Sequence, residues 1–484
     1  MVISMIRSFI VVVVFLWASE IACAQAKPIE FTSSDTALQT AFSNASQMAL
    51  YYRGSAADPV GPWYEAALPT RRAFCIRDVS HQCLAAEALG MGAENKNMFL
   101  HFVSNISEKK DWCTYWEMNY LGKPAPEDYR NDTAFWYNLN ANFEIVYACW
   151  RLYLWTGDTA YIRHPAFGSF HLRSLNEFID RWTLQPDSLL KRPPYPNAPV
   201  PFNINDYFHR CRGLPSYVEN VADLKMGVDL VAAMYRAAKT WSVAEAWMGN
   251  KRSVALYDQK AEAYRQQLEA VWWDKEEERY HIHVTNQGVF GKGEGETFLL
   301  WFDALNDSAR IRKTIAHLLN NEWNVENLSY QPYQMYKYGY WDKAYSYILY
   351  LTNPTTKRRE YPEVSYGAIE GIVQGLMGID ADARFNRVST IYRSHRADSA
   401  VITHLPVLST SITVKHWPNG SSLLNEGKKP VNWRVACNGR IPHITVGGRK
   451  MKTTQECGIM GNFISYVEVR VPPGKKLVAG FKKS

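Results

Sequence analysis

Arg77, Asp78 and His81 stand inside AFCIRDVSHQCLAAEALGM (residues 73–91), a run that otherwise has the apolar text of a buried helix. Such groups are costly to bury unless they are paired, cap a helix end or do chemistry. Asp78 and His81 are three positions apart, so they can share one side of a helix. One reading makes this a site for proton chemistry. The other makes Asp78 a helix cap, Arg77 its ion-pair partner and His81 a satisfied core residue.

Further carboxylates stand where a site could form. Glu360 and Glu363 lie in REYPEVSYGAIEG (359–371), a loop entering a helix. Pro362 holds that entrance extended, and a carboxylate there is favoured by the helix dipole, so capping competes with catalysis. Glu370, deeper in the same helix, reads as a polar wall residue. Glu294 and Glu296 occupy GKGEGETFLLW (291–301), where glycines leave the backbone open to a ligand. The competing reading is a solvated loop with Glu296 in a first helical turn. Glu117 sits among aromatics in WCTYWEMNY (112–120); low polarity raises a carboxyl pKa and suits a general acid, while a core helix with one acid facing water is the alternative. Asp206 in NINDYFHRC is a loop acid close in sequence to His209 and Arg210. Trp63, Tyr64, Trp112, Trp116, Trp136 and Tyr137 lie near these acids and could line a sugar subsite or serve as core. No His/Cys group has zinc spacing, so neither a metal nor a cofactor is expected.

Residues 35–395 read as helical, punctuated by Pro/Gly/Asn loops. Helices are expected over 133–162, stopped by Gly157, and over 220–248, 251–274 and 364–379. About a dozen helices in pairs imply a solenoid or a closed ring. From about residue 400 the pattern alternates apolar and polar residues between Gly/Pro/Asn turns, as in strands of a small antiparallel sandwich. Long irregular loops at 191–203 and 288–296 are places where a rigid frame carries function.

Of the 484 residues, 47% are hydrophobic and 21% charged, a globular balance. The net charge of +7 is scattered, without a basic stripe or recognition motif, which argues against nucleic-acid binding. An anionic polysaccharide is permitted. The 17 Trp, 29 Tyr and 20 Phe suit stacking on sugar rings as well as a large core. The opening MVISMIRSFIVVVVFLWASEIACAQ has a positive Arg7, an apolar stretch and the small-x-small Ala22-Cys23-Ala24, so residues 1–24 are expected to be a signal peptide cut after Ala24. A lipid anchor at Cys23 is disfavoured by Glu20. No later stretch is long and apolar enough to span a bilayer. Export to the periplasm or beyond permits disulfides, and Cys437–Cys457 is a candidate pair, with Cys75, Cys83 and Cys149 as core thiols.

Three phrases carry a family resemblance: YLWTGD closing a helix (153–158), VSYGAIEGIVQGLMGIDADARFNRV (364–388) and VRVPPGKK (469–476). They resemble the six-hairpin (α/α)6-barrel glycoside hydrolases, in particular bacterial α-L-rhamnosidase-like members. The resemblance implies a mainly α chain with an (α/α)6 toroid over 28–398 and a C-terminal antiparallel β-sandwich over 399–484. It implies cleavage of plant or algal oligosaccharides by two carboxyl groups, inverting and from a chain end. The acid would come from Asp78, Glu117 or Glu296, and the base from Glu363, with Glu360 second. Glu65, Arg77, His81, Trp63, Trp116 and Glu360 would contact sugar. Arg77-Asp78 stands where these relatives carry a sugar-contacting Gly-Asp. The acid they place one helical segment earlier is replaced by Thr70, Arg71 and Arg72, leaving Glu65 as the nearby upstream carboxylate. A polysaccharide lyase using Tyr or His as base, and a non-catalytic glycan-binding barrel, are the competing functions.

Overall fold

The computed structural model describes residues 28–481 other than 219, 220, 222, 395 and 397, so the expected signal peptide lies outside the described residues. The helical text resolves into α1 (Thr36–Tyr51), α2 (Ile76–Ala88), α3 (Gly92–Val103), α4 (Asn140–Thr156), α5 (Pro165–Leu175), α6 (Val228–Met248), α7 (Lys251–Val271), α8 (Glu296–Trp301), α9 (Ser308–Leu319), α10 (Gln331–Tyr338), α11 (Trp341–Thr352) and α12 (Pro362–Glu370), with shorter helices between. The even-numbered helices pack in succession, α2 on α4, then α6, α8, α10 and α12, and α12 returns to α2. Odd-numbered helices lie against them, such as α7 on α6 and α11 on α10, while α1 packs on α11 and α12.

Burial follows this arrangement. Along α2 every residue except Arg77 is buried, and α4 is buried over most of its length, whereas α7 buries only Tyr257, Ala261, Tyr264 and Leu268. Helix ends obey local chemistry. Asp35 accepts hydrogen bonds from the first-turn amides of Ala37 and Leu38, and Gly157 closes α4 at φ 77°.

Two expected helices start later than their apolar patterns suggest. Residues before α4 instead pair Tyr129–Asn131 with Ala134–Phe135, and Asn138 accepts from the Asn140 amide. Before α6, Leu224–Gly227 pairs with His283–Thr285. In both places strand pairing overrides helical periodicity.

The last helix gives way to a π-helical turn over Gly371–Leu376. Its glycines recur every four residues and face Ser329 and α10. A Cβ on Gly371 would sit 2.5 Å from Pro332 Cβ, one on Gly375 2.6 Å from the Tyr336 ring, and one on Gly367 would overlap the Ser329 carbonyl. Because that obstacle is backbone, Gly367→Ala is expected to cost about 1–3 kcal/mol through overpacking, read as a lowered midpoint in thermal denaturation.

Beyond residue 380 the chain forms strands. Among the described residues one sheet has seven strands in the order Glu30–Ser33, Ala400–Val407, Thr410–Trp417, Gly420–Asn425, Lys476–Phe481, His443–Val446 and Arg449–Lys452. A second has five, in the order Asp380–Asp382, Arg387–Ile391, Val431–Asn438, Phe463–Val471 and Thr454–Cys457. The strand pattern from 400 is thus borne out as sheets, and the sheets also recruit the N-terminal strand. The Trp155 indole donates to the Pro406 carbonyl at 3.0 Å, tying α4 to them.

The candidate Cys437–Cys457 bridge is not formed. Their strands flank Phe463–Val471 on opposite sides. Two interstrand spacings are about 9–10 Å, beyond the ~7 Å that a disulfide spans between Cα atoms. Cys75, Cys83 and Cys149 are buried thiols, as expected. Among the described residues no helix is long and apolar enough to cross a membrane.

Candidate active site

The even-numbered helices bring their N-terminal ends, or the loops that lead into them, to one place. Asp78 lies in the first turn of α2 and Glu363 in the first turn of α12. Glu294 and Gly295 immediately precede α8, and Tyr330 immediately precedes α10. These residues, with Arg77, His81, Tyr217, Glu326 and Asn327, line a cavity of about 540 Å³. A second cavity of about 280 Å³ adjoins it, sharing Arg77, Asp78, Glu326 and Glu363 and adding Arg71, Trp116, Glu117, Asp128, Trp136 and Tyr207. Glu117 is placed there by strand pairing, since Glu117–Asn119 runs antiparallel to Ala73–Cys75 with Glu117 opposite Cys75.

The cleft's carboxyl groups differ in their surroundings. Asp78 accepts from Arg77 Nε at 3.3 Å, and that guanidinium lies 5.0 Å from the Tyr217 ring centroid and 5.8 Å from that of Trp116. Helix α2 begins at Ile76, so Asp78 sits within its first turn and is not its cap. Glu363, 6% exposed, is held well above the usual carboxyl range by burial first and the Asp78 charge second, with Arg77 opposing. Glu117 is pushed up to about 8, by burial and then by Asp128. Arg71 Nη1 lies 2.9 Å from Glu117 and 3.2 Å from Asp128, yet its attraction does not offset those two effects. Glu294 is raised by burial and Glu326, and accepts from Asn327 Nδ2 at 2.6 Å.

His81 is neutral. Burial, then the charges of Arg151 and Arg77, lower its pKa well below the ordinary imidazole value. Its 4.0 Å approach to Glu370 is therefore not an ion pair. The ring stacks on Tyr330 with centroids 3.7 Å apart and meets Trp301 edge-on. It forms part of the cavity wall.

Asp78, Glu117, Glu363, Arg77, His81 and Trp116 are therefore gathered as expected, together with Glu294 and Trp136. Four expected site residues are not. Glu296 is fully buried at the start of α8, where it contacts His317 Nδ1 and lies 3.6 Å from Arg279. Two residues beyond Glu294, across Gly295, it is turned away from the cleft. Trp63 is 2% exposed, donates to Asp58 at 2.7 Å and packs on Phe74, so it is core rather than a sugar platform. Glu65 and Glu360 lie by Tyr52 instead of the cleft: burial first, then both their charges, raise the Tyr52 phenol, whose hydroxyl donates to the Glu360 carbonyl. Neither lines the cavities. Asp206 caps the short helix Tyr207–Arg210 and pairs with Arg130 at 2.9 Å. Glu370 pairs with Arg151.

Sequence reading missed Glu326 and Asp128 in the cleft. It also missed Glu144, buried in α4, whose pKa burial lifts to about 8 against an opposing effect of Tyr217. Glu326 stands in NNEWNVENLSY, in the short helix Val325–Ser329 that leads into α10, just as Glu294 and Glu363 stand at the entrances of α8 and α12. That alternation was the available signal.

The family described as Trehalase matches residues 214–345. No curated protein matches. Among solved structures, the α-L-rhamnosidase from Dictyoglumus thermophilum aligns at TM-score 0.57 and 13% identity, over 94% of this chain and 50% of its own. The chain shares the fold of the rhamnosidase-like glycoside hydrolases. The rhamnosidase of Bacillus sp. GL1 gives TM-score 0.55 and 12% identity over 82% of this chain and 40% of that one, and the α-L-rhamnosidase of Aspergillus terreus 0.55 and 12% over 93% and 50%. The chain thus spans half or less of the length of these rhamnosidases. The resemblance read from the sequence agrees with these matches in fold.

Proposed function

We propose that the protein is an exported glycoside hydrolase, an (α/α)6 toroid with a β-sandwich at residues 399–484. It would act on oligosaccharides from plant or algal polysaccharides through two carboxyl groups. The cyclic succession of even-numbered helices and the shared fold support this architecture. The observation that carries the function is the convergence of Asp78 and Glu363, from adjoining helix starts, on one cavity of about 540 Å³, a volume suited to a small ligand.

The electrostatics favour roles opposite to those expected from the sequence. Glu363, kept neutral by burial and by the Asp78 charge, suits protonation of the departing glycosidic oxygen. Asp78, ion-paired with Arg77, suits activation of water. Glu117 and Glu326 line the walls where sugar hydroxyls would be held, and Trp116 and Trp136 offer ring faces. The sequence resemblance adds inversion and attack from a chain end.

Incubation with neutral and acidic glycans tests this reading. The expected outcome is a free sugar, with the anomer first formed read by NMR. A product with a new ultraviolet-absorbing double bond would indicate a lyase instead, and binding without any product a non-catalytic barrel.

A further inference from the structure

A third cavity, of about 340 Å³, shares Trp136 and Tyr207 with the acidic cleft, and its chemistry is reversed. Arg192, Arg210 and Arg212 line it. Arg192 is 3% exposed, and its guanidinium donates to the carbonyls of Trp182, Lys225 and Gly213 at 3.1, 3.2 and 2.8 Å. Carbonyls carry no net charge, and among the described residues Arg192 has no carboxylate partner. Burial without one pulls its pKa down to about 9. Arg212 shares Asp111 with Arg181. Among the described residues Asp223 is the carboxylate of the lining, and it accepts from Asn286 at 2.6 Å. Among the described residues three arginines and one carboxylate thus line this pocket, whereas Asp78, Glu117, Asp128, Glu326 and Glu363 crowd the neighbouring cleft.

A ligand crossing Trp136 and Tyr207 therefore passes from acidic to basic surroundings. Neutral sugars have no need of a buried arginine lacking a carboxylate. An anion would supply the charge that the three carbonyls cannot, and the planar guanidinium fork fits carboxylate and sulfate oxygens. We propose that this pocket is a subsite for an anionic group of the glycan, a uronate carboxylate or a sulfate ester, on a sugar neighbouring the one that is cleaved. Tyr195 and Tyr207 would flank that sugar. The proposal rests on the glycosidase reading for its substrate and on the arginines for its charge.

The test is equilibrium binding to the full chain carrying Glu363→Gln, so that turnover does not intervene. The ligands are an oligogalacturonide, a sulfated galactan oligosaccharide and an unsubstituted xylo-oligosaccharide. One anionic ligand is expected to bind at least tenfold tighter than the neutral one, and which one names the source of the anion. Added Arg210→Gln is expected to cut that preference about tenfold, and Arg192→Gln to abolish it. Should Arg192→Gln fail to fold, the exposed Arg210 still provides the reading. A neutral ligand binding as well as the anionic ones, no binding by any of the three, or a preference untouched by Arg210→Gln overturns the subsite. Arginine-dependent anion binding by a wild-type chain that cleaves no glycan leaves the subsite standing and removes the glycosidase reading.

Discussion

Glu363→Gln is expected to lower kcat about 10³-fold or more while the chain still folds. Proton donation by a positioned acid contributes roughly 10²–10⁴-fold, and an amide keeps the shape and hydrogen-bonding capacity of a neutral carboxyl while losing the transferable proton. Stability separates this role from a structural one. The folded-state pKa of Glu363 lies above the unfolded value. Its neutral form therefore favours the fold fully below the unfolded pKa, and that contribution is lost as pH rises through the folded pKa. Glutamine has no proton to lose, so the variant is expected to melt with or above wild type, by a margin that grows on the alkaline side. Turnover of a glycan cleaved by wild type, with thermal melts at acidic and alkaline pH, checks both halves. Wild-type turnover in the variant would remove Glu363 from the chemistry. A lower melting point at alkaline pH would show that its charged form supports the fold.

Much of this site was legible because the sequence places its acids at helix entrances. Pro362-Glu363 and Arg77-Asp78 announce themselves by interrupting apolar text, and the structure brings both to one cavity. What could not be read was direction. Glu294 and Glu296 differ by two positions in a glycine-flanked loop, yet a single left-handed glycine, Gly295 at φ 137°, separates a cavity-lining acid from one buried against His317. Trp63 and Trp116 both adjoin acids in sequence. Trp63 found Asp58 and a place in the core, while Trp116 reached the cleft beside the strand that carries Glu117. Helix starts at Asn140 and Val228 were obscured because apolar periodicity continues through residues that strand pairing claims. Charge balance was equally hidden, since the Asp78 charge that acts on Glu363 and the carbonyls that hold Arg192 come from distant parts of the chain.

Asp78→Asn tests that spatial coupling as well as the proposed water-activating role. Loss of a base is expected to cost about 10²–10⁴-fold in kcat, but the residual activity is more informative than the loss. The Asp78 charge is one of the forces holding the Glu363 proton, second to burial, while Arg77 works against it. With Glu363 as acid, kcat/KM declines as pH rises through the Glu363 pKa. Removing the Asp78 charge leaves burial opposed by Arg77, so that pKa falls and the alkaline decline moves to lower pH. Arg77→Met is expected to move it the other way, because the charge that favours the ionised form of Glu363 is gone. A structural contribution from Asp78 would lower activity or stability without shifting the profile, and the two substitutions would not act in opposite directions. Measuring kcat/KM against pH for both variants and the wild type decides this. An unchanged alkaline limb in Asp78→Asn would mean that the two carboxyl groups do not sense one another, and a paired mechanism would have no physical basis.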